Sequence, residues 1–377
     1  MAKILWCVSA LDEPAASPLD LQYSSLASHR YRIYYPSRDL ERMGHSSALL
    51  TLDSGSVVPE DVDFACAVFG KITAAGPDQF ARVASTALAA VERLRARQIP
   101  IIVDICDFQL WPGDPRRDVV QQVIGSADSI TCNSAEMAAL VRNALPDGPQ
   151  PVVIPDPIEL PRSEPNAPPP RRSVATGAGA GLMQRWLGRK DVLDLLWFGH
   201  FTNLRYLVRL APALRDLARD VRCRLTVCSS AHPTVASGIE DLRRDAGAGV
   251  EVRFVEWSLQ SIGPTLADSD IVIIPSDPND PAKRAAGANR LVLALWCGRF
   301  VVANALSSYR TFGDYAWIGD DLIAGIRWAL DAPEEARARV AEGQKAVSDF
   351  AIETVARQWL AEIMRIARAG SGTKASL

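Results

Sequence analysis

The chain has 377 residues, is 48% hydrophobic and carries a formal net charge of -3. That length exceeds what one core organises and predicts two domains, while the charge excludes a general nucleic-acid binder, since no basic excess is available to neutralise phosphates. The seven cysteines include no CxxC pair. They read as buried thiols of a reducing cytoplasm rather than as disulfides or metal ligands.

The start, MAKILWCVSALDEP, has a short apolar run soon interrupted by acidic residues, so no signal peptide is expected, and no window reaches the apolar length of a membrane span. The expected location is the cytoplasm, with peripheral contact to the inner face of a membrane allowed. In the first half, apolar runs at residues 4–8, 48–52, 64–69, 99–103, 129–132 and 152–154 alternate with amphipathic segments such as 78–98. This alternation predicts an α/β doubly wound parallel sheet.

Within that half, His29, Arg30 and Arg32 fall at a strand-to-helix turn, where arginines suit bidentate contact with phosphate or carboxylate. Lys71 ends one strand, and Asp104 and Asp107 follow another. A carboxylate there is a candidate base for an acceptor hydroxyl or a hydrogen-bond partner for a sugar; both aspartates also suit helix capping. Their spacing defines no metal site, and no metal ligand is expected.

Residues 161–180, PRSEPNAPPPRRSVATGAGA, cannot bury a core and read as a linker or mobile insertion. A second alternation follows, with strands expected at 193–198, 224–228, 250–254, 271–274 and 300–303, helices at 204–220 and near Gly238, and a helical segment at 333–369. Gly199, His200, Thr202 and Asn203 form a strand-to-helix turn that suits either close approach to a phosphate or ordinary capping. Trp257 follows a strand, where its ring could lie against a nucleobase or staple the next helix. The richest stretch is 267–303: the apolar run 271–274 reads as a strand buried on both faces, Lys283 and Arg284 sit in the polar loop after it, Asn289 and Arg290 open a helix, and Gly298 stops that helix. Cations and free backbone N–H groups at the carboxyl end of a strand point to anion binding. No GxSxG, HExxH or Walker A sequence occurs.

In their order and spacing, YRIYYPSRDLERMGH (31–45), DICD (104–107), ADSITCNSAEM (127–137), VVIPDPIE (152–159), LLWFGHFTN (195–203), VRFVEW (252–257), DIVIIP (270–275) and ANRLVLALWCGRFVVA (288–303) carry a resemblance over nearly the whole chain. The sequence resembles the GT-B glycosyltransferases, in particular the divergent members of the family 4 type. The resemblance implies two Rossmann-like doubly wound parallel-sheet domains facing a cleft: an acceptor-side domain at 1–160, a linker or insertion at 161–190, a nucleotide-sugar-binding domain at 191–345, and a C-terminal helix and tail at 346–377 that crosses back to the first domain. It also implies transfer of a sugar from a nucleotide diphosphate sugar, of UDP or GDP type, to a glycan or lipid-linked acceptor of a surface polysaccharide or glycoconjugate, with no further cofactor required.

On this reading Gly199, His200, Thr202, Asn203, Trp257, Lys283, Arg284, Asn289 and Arg290 hold the donor. Asp104 and Asp107 are the catalytic candidates, while His29, Arg30, Arg32 and Lys71 face the acceptor or the transferred sugar. The sequence departs from family 4 at two glutamates that members commonly carry across this helix: Leu293 stands at the second, and Ala285 near the first. A catalytically silent GT-B protein that binds a glycan or a partner enzyme, and a sugar-nucleotide epimerase or phosphorylase, are the rival readings.

Overall fold

A computed structural model describes residues 1–11, 13–168, 192–280, 283 and 285–374. The chain divides into two compact units, Met1–Glu159 with Asp349–Leu377, and Leu160–Ser348. Each carries a six-stranded sheet whose strand pairs are all parallel.

In the first unit the strands are β1 (Lys3–Val8), β2 (Ser46–Thr51), β3 (Cys66–Phe69), β4 (Ile101–Ile105), β5 (Ser129–Cys132) and β6 (Val152–Val153), in the order β2-β1-β3-β4-β5-β6. The order reverses at β1 and β3, so a crevice opens beyond the carboxyl ends of those two strands. Every residue of β3, β4 and β5 is buried, which explains why they read as continuous apolar runs rather than alternating ones. One face is covered by helix α1 (27–42), whose segment Arg30–Tyr34 has π geometry, and by helix α2 (Ile352–Lys374) from the far end of the chain. On α2, Val355, Trp359, Ile363 and Ile366 recur every three or four residues and are buried. Trp359 meets Trp6 of β1 edge to face, with centroids 5.5 Å apart.

In the second unit the strands are β7 (Leu193–Phe198), β8 (Cys223–Ser229), β9 (Val250–Glu256), β10 (Ile271–Ile274), β11 (Phe300–Ala303) and β12 (Trp317–Ile318), ordered β12-β11-β10-β7-β8-β9. This is the Rossmann order, with its reversal at β7 and β10. The two-residue β12 is too short to give a periodic signal. Helix α3 (Asn289–Trp296) links β10 to β11 and ends at Gly298, whose φ is +74°. A Cβ at Gly298 would lie 2.1 Å from the Glu164 carbonyl oxygen, so glycine is required both by its conformation and by the close approach.

That approach corrects part of the linker expectation. Residues 161–168 are held against this unit: Ser163 N–H donates to Trp296 O, Asn166 N–H donates to Gly298 O, and the buried Gln344 donates to the carbonyls of Ser163 and Trp296. The remainder of that expected segment, 169–190, lies outside the described residues.

All seven cysteines are free, and six are buried. Burial pushes the thiols of Cys223, Cys228, Cys132 and Cys297 up to about 12. Among the described residues no helix is long and apolar enough to cross a membrane.

Candidate functional site

In the second unit, the turns after β7 and β10 lie on either side of the sheet's reversal, and the expected donor residues gather there. Gly199 follows β7 directly, and a Cβ at its position would sit 3.2 Å from Nη1 and 3.4 Å from Cδ of Arg290. The absence of a side chain therefore lets the Arg290 guanidinium lie against the turn, where Nη1 donates to Phe198 O at 3.4 Å. Lys283 reaches the same place from the β10 loop. Its ammonium donates to Asn203 Oδ1 and stands 5.3 Å from the centroid of the Tyr206 ring.

Among the described residues neither Lys283 nor Arg290 forms an ion pair with a carboxylate. The nearby Asp280 instead accepts hydrogen bonds from Arg205, at 2.8 Å, and from the Tyr206 hydroxyl. Burial, reinforced by the charge of Arg290, lowers the Lys283 pKa below the ordinary lysine value. Helix α3 starts at Asn289 behind Ala288, whose side chain supplies no cap, so the positive end of the helix dipole lies at this turn. Two cations and the positive end of a helix thus lie together beside the Gly199 turn.

The other expected donor residues fall at the same end of the sheet. His200 caps its own turn through Nδ1, which lies 2.9 Å from Thr202 Oγ1 and accepts from Thr202 N–H at 3.4 Å. His232 caps the helix Pro233–Ala246 in the same way and stacks on Phe201 with centroids 3.9 Å apart. Trp257 is half-buried just beyond β9, and its backbone N–H donates to Ser229 O. Arg284 lies outside the described residues. Leu293 is buried and Ala285 half-buried, so neither position offers a carboxylate. Tyr206 and Asp280 were not legible as site residues, because the contacts that bring them to Lys283 span a helix and a loop.

In the first unit, the residues expected at one ligand face separate into two groups. Lys71, just after β3, forms an ion pair with Asp107, just after β4. The Asp107 side chain is 58% exposed, whereas that of Lys71 is 22% exposed. His29 lies nearby but is buried, with Nε2 3.0 Å from Ser9 O at the end of β1 and Nδ1 2.9 Å from Ser24 Oγ. Ser9 in turn donates to Lys71 O and accepts from Thr73 N–H, tying the β1 and β3 loops together.

Arg30, Arg32 and Asp104 require a correction. Arg32 is 2% exposed, and its guanidinium makes a bidentate pair with Asp104, a further ion pair with Asp156 at 3.2 Å and a hydrogen bond to Ile154 O at 2.6 Å. Asp104 also accepts from Thr131 at 2.7 Å, so both of its oxygens are engaged and it is 3% exposed. Arg30 is equally buried, and its Nε and Nη2 donate to Glu159, which also accepts from Tyr31. These side chains point inward because carboxylates from β4 and the segment after β6 neutralise them there. They brace the unit and present no free charge to a ligand. The attractions of Asp104 and Asp156 outweigh the desolvation of Arg32 and raise its pKa, so it stays charged.

Two parallel six-stranded Rossmann-like sheets, carried in one chain and each reversing its strand order beside a turn-rich edge, define the GT-B architecture of glycosyltransferases. No protein-family model matches the chain, and no curated protein matches it in sequence. Solved structures do. HepE of Anabaena in complex with UDP and glucose is similar at 14% identity and a TM-score of 0.58, over 100% of both chains. Sucrose-phosphate synthase of Thermosynechococcus elongatus is similar at 15% identity and a TM-score of 0.61, covering 98% of this chain and 100% of its own. A glycosyltransferase from Rickettsia africae is similar at 13% identity and a TM-score of 0.57, covering 97% of this chain and 98% of its own. At these identities the likeness is one of fold.

Proposed function

We propose that the chain is a glycosyltransferase that takes a sugar from a nucleotide diphosphate donor bound at the crevice between β7 and β10. The observation that carries this reading is the pair of cations, Lys283 and Arg290, brought against the Gly199 turn with no ion pair to a carboxylate among the described residues. The diphosphate offers the complementary charge. As the bond from the sugar to the diphosphate breaks, negative charge grows on the leaving phosphate, and cations already in place stabilise it without reorganisation. The positive end of α3 acts in the same sense. HepE, similar in fold over the whole chain, is described with UDP and glucose, which supports a nucleotide-sugar donor of UDP or GDP type.

Trp257 borders the nucleobase on this reading. The acceptor, a glycan or lipid-linked sugar, belongs to the first unit near Lys71 and Asp107. Asp107 takes over from Asp104 as the candidate base, because its carboxylate is largely exposed and Lys71 keeps it oriented. Calorimetric titration with UDP and GDP tests the donor site. One of them binds the wild-type chain, and Arg290→Ala weakens it by about tenfold or more, the range of a lost charge-assisted contact. Failure of both nucleotides to bind, or equal binding by the variant, overturns the reading. Nucleotide binding without transfer to any acceptor favours the catalytically silent alternative, for which the side chains at 285 and 293 are the specific observation.

A further inference from the structure

We infer that Ser276 holds an oxygen of the donor's diphosphate, an assignment that rests on the nucleotide-diphosphate reading of the second unit. Ser276 lies just past the carboxyl end of β10. Strands β10 and β7 are parallel, pairing Ile271 with Leu195 and Val272 with Leu196, so Ser276 leaves the sheet at the same carboxyl edge as Gly199. Ser276 is 8% exposed, and its hydroxyl oxygen is buried without a hydrogen-bond partner among the described residues. A serine at the end of another strand of this sheet behaves differently: Ser229, the last residue of β8, is 0% exposed and donates to Gly199 O at 2.8 Å. Burial at this edge therefore does not by itself leave a serine unpaired.

The backbone beneath Ser276 is fixed. Its N–H donates to Asn304 Oδ1 at 2.8 Å, and the Asn304 amide is anchored by donating to the carbonyls of Gly319 and Asp320, at 3.2 and 3.3 Å. The hydroxyl is thus positioned by a supported peptide, yet among the described residues has nothing to donate to. A buried unpaired hydroxyl destabilises the protein that carries it, and such groups are rare enough to need a reason. The connection from β10 into α3 also carries Lys283 and Arg290, cations that donate and do not accept. A group that only accepts, such as a phosphate oxygen, completes this set and pairs the hydroxyl. Ser276 is a positioning residue on this assignment, and no proton leaves it during transfer.

The test compares the full-length wild type with Ser276→Ala. Thermal melting without ligand comes first, then titration with UDP and GDP, and then with uridine and guanosine, which lack the diphosphate. The expected result is a ligand-free melting temperature equal to or above that of the wild type, since an unpaired buried hydroxyl has been removed. Affinity for the nucleotide diphosphate that the wild type binds falls about tenfold, while affinity for its nucleoside is unchanged. Equal diphosphate affinity in both proteins overturns the assignment and leaves the donor site standing. An equal loss for nucleoside and diphosphate also overturns it, because the effect then lies at the base. If the wild type binds neither UDP nor GDP, the donor site falls first and the assignment falls with it.

Discussion

The Arg32 guanidinium holds the Asp104 carboxylate in a bidentate pair, Nε to Oδ2 at 3.0 Å and Nη2 to Oδ1 at 2.6 Å, with both side chains at most 2% exposed. Paired and planar, the two groups offset part of the cost of removing each from water, but removing one leaves the other charged and buried. Asp104→Ala is therefore expected to destabilise the first unit by about 3–5 kcal/mol, measured by urea unfolding. A variant that unfolds like the wild type but loses all transfer would return Asp104 to the catalytic role that the sequence suggested.

Lys283 makes donor binding sensitive to alkali. Its folded-state pKa is lowered by burial and by Arg290, so it loses its proton at a lower pH than an ordinary lysine. Its ammonium is fully charged below that folded pKa, and the diphosphate's charge raises the value on binding. Affinity is accordingly expected to weaken as pH rises through the folded pKa, and binding in that range to be accompanied by proton uptake. Titration with the bound nucleotide across the alkaline range measures this, with Lys283→Met giving weaker binding and a flatter profile.

Glu362 gives the opposite response in acid. Burial raises its pKa, but the hydrogen bonds from Arg365 and Ser129 outweigh burial and leave it below the ordinary glutamate value. A depressed carboxylate contributes stability that is present above the unfolded pKa and is lost as pH falls through the folded one. The first unit is expected to lose stability progressively below the ordinary glutamate range. Glu362→Gln should lower stability at neutral pH and reduce the slope of that acid limb, as read by denaturant midpoints at several pH values.

The sheets were legible because their strands are buried on both faces: the run 271–274 could be read as β10 without knowing its neighbours. Gly298 was legible as a helix stop, although its contact with Glu164 was not, since that partner is 134 residues earlier. The candidate donor site was partly legible, because the cations after β10 and the glycine turn after β7 sit in two strand-to-helix connections whose position follows from the parallel topology. Arg30 and Arg32 were misread for a related reason. An arginine beside a turn looks available until its carboxylates are known, and Asp104 and Glu159 lie 72 and 129 positions away from their partners. Local sequence carries the charge of a side chain but not what neutralises it.

The arrangement of α2 sets the order in which the chain can be completed during synthesis. The second unit is one uninterrupted stretch, whereas the first needs residues from both ends, including the Trp359 that fills the space beside Trp6. When the ribosome has translated through Ser348, everything the second unit requires has been made, but the first still lacks one side of its core. Of the two units, the one whose first residues are made earlier is therefore the last able to finish folding, which reverses the usual order from the N-terminal side.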